Sequence, residues 1–203
     1  MNIALIGVTG RVGSRLLAEL LRRGHRVTGI ARDTCKLAGQ PGLVLKNADA
    51  DQPAQLAPLL AGHDAVISAL KFATIEAAAL LAAVKQAGVR RLLVVGGAAT
   101  LEVAPGQVLL DTPGFPAAYR PEAEGGRRFL DTLRGEHDLD WTFLSPSAEF
   151  APGERTGSFR VGDDALLTDA GGKSWISMED YAIALVDELE TPKHLRQRFT
   201  AGY

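Results

Sequence analysis

Three glycines, Gly7, Gly10 and Gly13, fall at intervals of three between the apolar run Ile3-Ala4-Leu5-Ile6 and the helically spaced Leu16, Leu17, Leu20 and Leu21. A strand that passes through such a turn into a helix uses the first glycine for a tight exit. The second lets backbone approach a ligand, and the third packs the helix start against the sheet. Unbonded N–H groups in the first helical turn, at the positive end of the helix dipole, then suit an anion, and this spacing fits a diphosphate. The segment Gly7-Val8-Thr9-Gly10-Arg11-Val12-Gly13 therefore points to nucleotide binding, against the plainer reading of an ordinary turn between strand and helix.

The second strand should end where such a fold reads the adenosine ribose. Readers of NAD place Asp or Glu there to accept from both hydroxyls, whereas this chain has Ile30-Ala31-Arg32. A guanidinium at that point suits a 2′-phosphate, which it can hold through paired, charge-assisted hydrogen bonds. Arg11, inside the glycine turn, can approach the same group. NADPH is expected over NADH, with Asp33, an acid one residue late, as the opposing feature. Asp49, after the third strand, can accept from an adenine amino group or serve as a turn residue beside Asp51. Ser68-Ala69-Leu70 ends the fourth strand, where small residues let backbone lie along a ribose and its phosphates.

The elements that must position these residues alternate. Apolar, β-branched runs at 2–6, 26–30, 43–45, 64–68, 91–95 and 141–144 are separated by helical periodicity at 12–23, 53–61, 74–87 and 121–135, with a further helix at 179–189. Gly24, Gly62 and Gly88 stand as helix stops. Ser177-Met178-Glu179-Asp180 reads as the capped start of the last helix, and Arg198-Phe199-Thr200 as a final strand. Strands this rich in Val, Ile and Leu are buried on both faces, which predicts an α/β fold: a Rossmann-like, doubly wound parallel sheet with helices on both sides. At 203 residues, one domain is expected. Two long segments, 96–120 and 146–173, follow strand C-termini, where an open α/β sheet binds its ligands, and are the expected substrate walls.

Composition narrows the class. Apolar residues make up 46% and charged residues 23%, with a net charge of -2, so nothing favours a polyanion partner. No stretch is apolar enough to span a bilayer and no basic leader precedes the first strand, so a cytoplasmic protein without membrane or nucleic-acid partners is expected. Cys35, the single cysteine, reads as a packing residue. His25, His63, His137 and His194 read as surface or capping groups with no metal-ligand spacing, and Arg22-Arg23, Arg90-Arg91 and Arg127-Arg128 as solvated charge.

The glycine turn, Ala31-Arg32-Asp33, Gly62-His63-Asp64-Ala65-Val66-Ile67-Ser68-Ala69-Leu70 and Arg91-Leu92-Leu93-Val94-Val95-Gly96-Gly97-Ala98 together resemble the NAD(P)H-binding atypical short-chain dehydrogenases. Asp111-Thr112-Pro113, Leu139-Asp140-Trp141-Thr142-Phe143-Leu144-Ser145-Pro146 and Gly153-Glu154-Arg155-Thr156-Gly157 are more narrowly similar to bacterial NADH-flavin reductases of that group, relatives of biliverdin-IXβ/flavin reductase and of NmrA-like redox sensors. The resemblance covers essentially the whole chain. It implies a single Rossmann domain over 1–203, in which 146–203 contributes a small C-terminal lobe on the substrate side. It also implies that Thr9, Gly10, Val12 and Gly13 meet the pyrophosphate, Arg11 and Arg32 the 2′-phosphate, and Asp49 the adenine. Ser68, Ala69, Leu70 and Gly96 would line the middle of the cofactor, and Ser145 and Pro146 its nicotinamide end.

Carbonyl reduction in short-chain dehydrogenases needs a proton donor, usually Tyr with Lys four residues on. Here Tyr119 is followed at that spacing by Ala123, and the fifth strand ends in Gly96-Gly97-Ala98-Ala99-Thr100 without the usual serine. Hydride transfer to a flavin asks less, because the rings supply the reactive atoms and positioning does the rest. Phe115, Tyr119, Trp141 and Phe150 are candidate stacking surfaces, with Tyr119 as a hydrogen-bonding contact. The expected activity is an NADPH-dependent reductase of free flavin, a substrate rather than a bound cofactor, or of a similar small planar acceptor. The alternatives are a non-catalytic nucleotide sensor and an atypical epimerase or reductase built on Thr100, Tyr119 or Glu122. The apolar helix at 74–87 packs on the sheet or forms a homodimer interface.

Overall fold

A computed structural model describes all of residues 1–203. The chain begins with β1 (Asn2–Ile6), α1 (Arg11–Arg22), β2 (Arg26–Ala31), β3 (Leu43–Asn47) and α2 (Pro53–Leu60). β4 (Ala65–Ser68), α3 (Ala77–Gln86) and β5 (Arg91–Val95) continue the alternation. A short hairpin of β6 (Glu102–Ala104) and β7 (Gln107–Val108) precedes α4 (Arg120–Arg134) and β8 (Asp140–Pro146). The chain closes with β9 (Glu149–Ala151), β10 (Arg160–Gly162), β11 (Trp175–Ser177), α5 (Met178–Glu190) and β12 (Gln197–Gly202).

Eight strands form one sheet in the order β10-β12-β8-β5-β4-β1-β2-β3, parallel throughout except for β10 against β12. The chain starts in the interior, winds outward through β2 and β3, then returns to the other side of β1 with β4. The order therefore reverses at the β1/β4 junction, where ligand crevices open in folds of this kind. Four of the five residues of β1 and all four of β4 are buried, because helices cover both faces. One face packs α2, α3 and α4 over a cluster of 24 buried residues, and the other packs α1 and α5 over 21. The two layers are thus of nearly equal weight, and each fully buried Leu or Ile within them contributes roughly 1.5–3 kcal/mol.

Helix ends follow the chemistry of the residues there. Gly24, Gly62 and Gly88 all adopt positive φ (79°, 78° and 72°) just past α1, α2 and α3. Ser177 Oγ accepts from the Asp180 amide at 3.0 Å and caps α5. The helix expected at 74–87 begins later: residues 72–74 form a separate 3-10 turn, Ile75 is extended, and α3 starts only at Ala77. Within 146–203, β12 and β10 complete the main sheet and α5 its second helix layer, while the β9/β11 pair and the loops around 152–174 lie outside it.

Several residues read as surface or packing groups take other places. Cys35 is exposed, its thiol donating to Asp33 at 3.3 Å, because the turn after β2 faces solvent. His25 is buried and bonded to Glu190 at 2.9 Å. Arg23 joins Glu19, Asp187 and Glu190 in ion pairs of 2.7 Å each. Arg91 lies between strand and helix, donating to Thr142 Oγ1 at 2.7 Å and pairing with Glu188 at 3.3 Å. No helix is long and apolar enough to cross a membrane.

Candidate functional site

The glycine turn sits at the C-terminal end of β1, against the end of β4. Gly7 adopts φ +84°, and a Cβ on it would lie 2.5 Å from the Ala69 carbonyl oxygen, so β1 and β4 approach as closely as they do only because that side chain is missing. A Cβ on Gly13 would collide with the Gly7 carbonyl, which places α1 directly on the turn. The amides divide in two. Gly7 and Val8 N–H donate to Ile30 O (2.8 and 3.3 Å) and Gly10 N–H to Gly7 O (2.9 Å), fixing the loop. Those of Thr9, Arg11, Val12 and Gly13 meet no protein acceptor. The Gly10 amide is thus committed within the turn, whereas a Cβ on Gly10 would lie 3.1 Å from the Gly7 carbonyl oxygen. No acidic residue stands in the first turn of α1 to compete with an anion.

Beyond β2, Arg32 is exposed, and neither its guanidinium nor that of Arg11 bonds to any other side chain. The acid one residue later is otherwise engaged: Asp33 accepts from the Cys35 amide at 2.9 Å as well as from the thiol, which together hold its carboxyl below the usual carboxylate range. Asp49 stands half-buried after β3 with Oδ1 on the Asp51 amide at 3.2 Å, so one of its oxygens is committed to the turn. Ser68 is buried at the end of β4, with Ala69 and Leu70 half-buried beyond it. Ser145, on the neighbouring side of β5, is wholly buried and its hydroxyl has no protein partner.

Along the same sheet edge, past β5 and β8, opens a cavity of about 420 Å³. Its walls come from both long segments: Gly96 to Thr100 and parts of the stretch from Leu109 to Tyr119, among them Thr112, Phe115 and Tyr119, on one side, and Pro146, Ser147, Ala148 and Phe150 on the other. Phe72 and Phe143 stack beneath it with centroids 5.8 Å apart and planes at 21°. Aromatic and small residues dominate, the composition expected of a pocket for a flat apolar ligand. Of the stacking candidates, Phe115, Tyr119 and Phe150 line the cavity, whereas Trp141 is buried core, its indole N–H donating to Glu136 O at 3.1 Å. Tyr119 stands at the mouth, 67% exposed.

Thr100, Tyr119 and Glu122 all reach the cavity, yet they form no proton-transfer set. The two oxygens of Glu122 accept from the Phe72 and Ala73 amides (2.8 and 2.9 Å), and Thr100 Oγ1 accepts from Arg198 at 3.4 Å. Phe72 went unrecognised in the sequence, although its position just past Ser68-Ala69-Leu70, in a connection leaving a strand C-terminus, is the signal that could have found it. No group of three or more His, Cys, Asp and Glu is placed to hold a metal.

A doubly wound sheet, a glycine turn at its reversal point and four unbonded amides at a helix start define a Rossmann-type nucleotide-binding protein. A family model described as NAD(P)H-binding matches residues 7–192, and the chain belongs to that family. It is 48% identical to a protein of Burkholderia pseudomallei provisionally described as exported, with both chains covered fully and a TM-score of 0.90. A protein of Bacteroides thetaiotaomicron provisionally described as an epimerase is 42% identical over 100% of this chain and 96% of its own, with a TM-score of 0.95. Another, from Streptococcus pneumoniae and provisionally described as an NADH-flavin reductase, is 34% identical over 100% and 99%, with a TM-score of 0.87.

Proposed function

We propose that the protein is a cytoplasmic, NADPH-dependent oxidoreductase that reduces free flavin or a similar planar conjugated acceptor by direct hydride transfer. The observation that carries this reading is the aromatic cavity at Gly96 and Pro146, opening on the same strand ends as the glycine turn and containing no Tyr-Lys pair. When bound, the reduced nicotinamide supplies the hydride. The unbonded amides of Thr9, Arg11, Val12 and Gly13 hold the diphosphate, and the buried, unpartnered hydroxyl of Ser145 suits a polar group at the nicotinamide end. Arg32 and Arg11 favour the 2′-phosphate, since Asp33, the acid that would favour NAD, is turned to Cys35. Phe115, Phe150 and Tyr119 orient the flat acceptor, and the proton that completes the two-electron reduction comes from solvent, so no side chain need titrate.

Oxidation of NADPH in the presence of riboflavin or FMN should exceed the flavin-only background. Tight nucleotide binding with no turnover across several acceptors would remove the reductase reading and leave a sensor. Arg32→Ala should weaken NADPH binding by roughly tenfold or more while barely touching NADH. Equal losses for both nucleotides would show that Arg32 does not read the phosphate.

A further inference from the structure

A fully buried tyrosine on α5 joins the ends of the two strands that floor the cavity. The Tyr181 hydroxyl donates to Leu144 O at 2.7 Å and receives the Gly96 amide at 3.3 Å, while that amide also donates to Leu144 O at 2.8 Å. These three polar groups close on one another at the point where β5 and β8 deliver Gly96 and Pro146 to the cavity. Gly96 is closely packed there: a Cβ on it would lie 2.6 Å from Leu144 O and would collide with the Phe143 ring. The Tyr181 ring packs at a tilt against that of Phe150, a cavity wall, with centroids 4.7 Å apart and planes at 52°. One side chain therefore touches both the floor and a wall of the cavity without entering it.

We propose that Tyr181 is a positioning residue that sets the acceptor site through the Phe150 wall and the Gly96 floor, and so governs acceptor affinity more than nucleotide affinity, which the amides of the glycine turn and Arg32 dominate. This rests on the reductase reading above. Burial pushes its phenol far above the ordinary tyrosine range, against the smaller opposing effect of the Gly96 amide, so the hydroxyl remains a donor at every working pH. The plainer alternative is a core tyrosine whose hydroxyl is merely satisfied. That alternative predicts a loss of stability and nothing else.

Tyr181→Phe keeps the ring and removes the link. It should raise KM for riboflavin about fivefold while the NADPH dissociation constant stays within about twofold. Val84→Ala, a buried residue of α3 that is not among those lining the cavity, provides the comparison, since it should lower Tm without touching Gly96 or Phe150. An unchanged riboflavin KM in Tyr181→Phe, or an equal rise in Val84→Ala, would overturn the proposal. Should the wild-type protein bind riboflavin without reducing it, the reductase reading falls on its own. Riboflavin fluorescence quenching then decides about Tyr181, with affinity about fivefold weaker in the Phe variant expected and equal affinity fatal. Failure of the wild-type protein to bind riboflavin at all would overturn both.

Discussion

Gly13 shows what one missing side chain accomplishes. Its α-carbon lies so close to the Gly7 carbonyl that an alanine would force α1 off the end of β1. Gly13→Ala should cost on the order of 2–4 kcal/mol in chemical denaturation, and even the folded fraction should bind NADPH poorly, because the amides of Val12 and Gly13 move together. Tyr119 should be far more tolerant. It is exposed at the cavity mouth and lacks a partner lysine, so Tyr119→Phe should lower turnover by only about two- to fivefold in a flavin assay. A collapse of kcat would reinstate acid-base chemistry. At this scale the glycines were readable because positive φ and close approach leave a compositional mark. Glu122 and Trp141 were not, since an acid that caps two amides across 50 residues and a tryptophan turned into the core carry no local sign of either role.

Between elements, the segment after β9 is strapped across α1 and α5. Glu19 of α1, almost fully buried, accepts from Arg155 at 3.0 and 3.1 Å while also engaging Arg22 and Arg23. Glu179 of α5 accepts from the Gly153 amide at 2.8 Å and from Arg15 at 3.1 Å. Burial alone would raise the Glu19 carboxyl, but the hydrogen bonds from Arg22, Arg155 and Arg23 outweigh it and hold the group well below the usual carboxylate range. Because the folded value is the lower one, the stabilisation is complete at neutral pH. It fades as pH falls past the unfolded glutamate value of about 4.3. Glu19→Gln should therefore lose about 1–3 kcal/mol at pH 7 and show a shallower decline below about pH 5 in urea titrations. An unchanged acid profile would mean that Glu19 is not the group responsible. In the sequence Glu19 is an ordinary helix acid, because its third partner lies 136 residues away.

For the whole molecule, the alternation of strands and helices was legible because burial on both faces leaves continuous apolar runs in β1, β4 and β5. The strand order was not, since periodicity records which face is buried and never which neighbour is adjacent. Thus β12 was readable as a strand from Arg198-Phe199-Thr200, but not its place inside the sheet, bonded to β8 on one side and to β10 on the other. Deleting residues 197–203 would expose both neighbours and remove Phe199 and Ala201 from the core. The truncated chain should fail to show a cooperative thermal transition, and a normal melt would refute this account of β12. The pairing of α1 with α5 in one layer has a further consequence for biosynthesis. Leu16, Leu17 and Leu20 emerge from the ribosome long before the helix that shares their hydrophobic cluster, at 178–190. At about 5–20 residues per second, that sticky face waits on the order of ten seconds or more for its cover. The nascent polypeptide is thus most prone to aggregate, and most in need of a chaperone, in the interval between the appearance of α1 and that of α5.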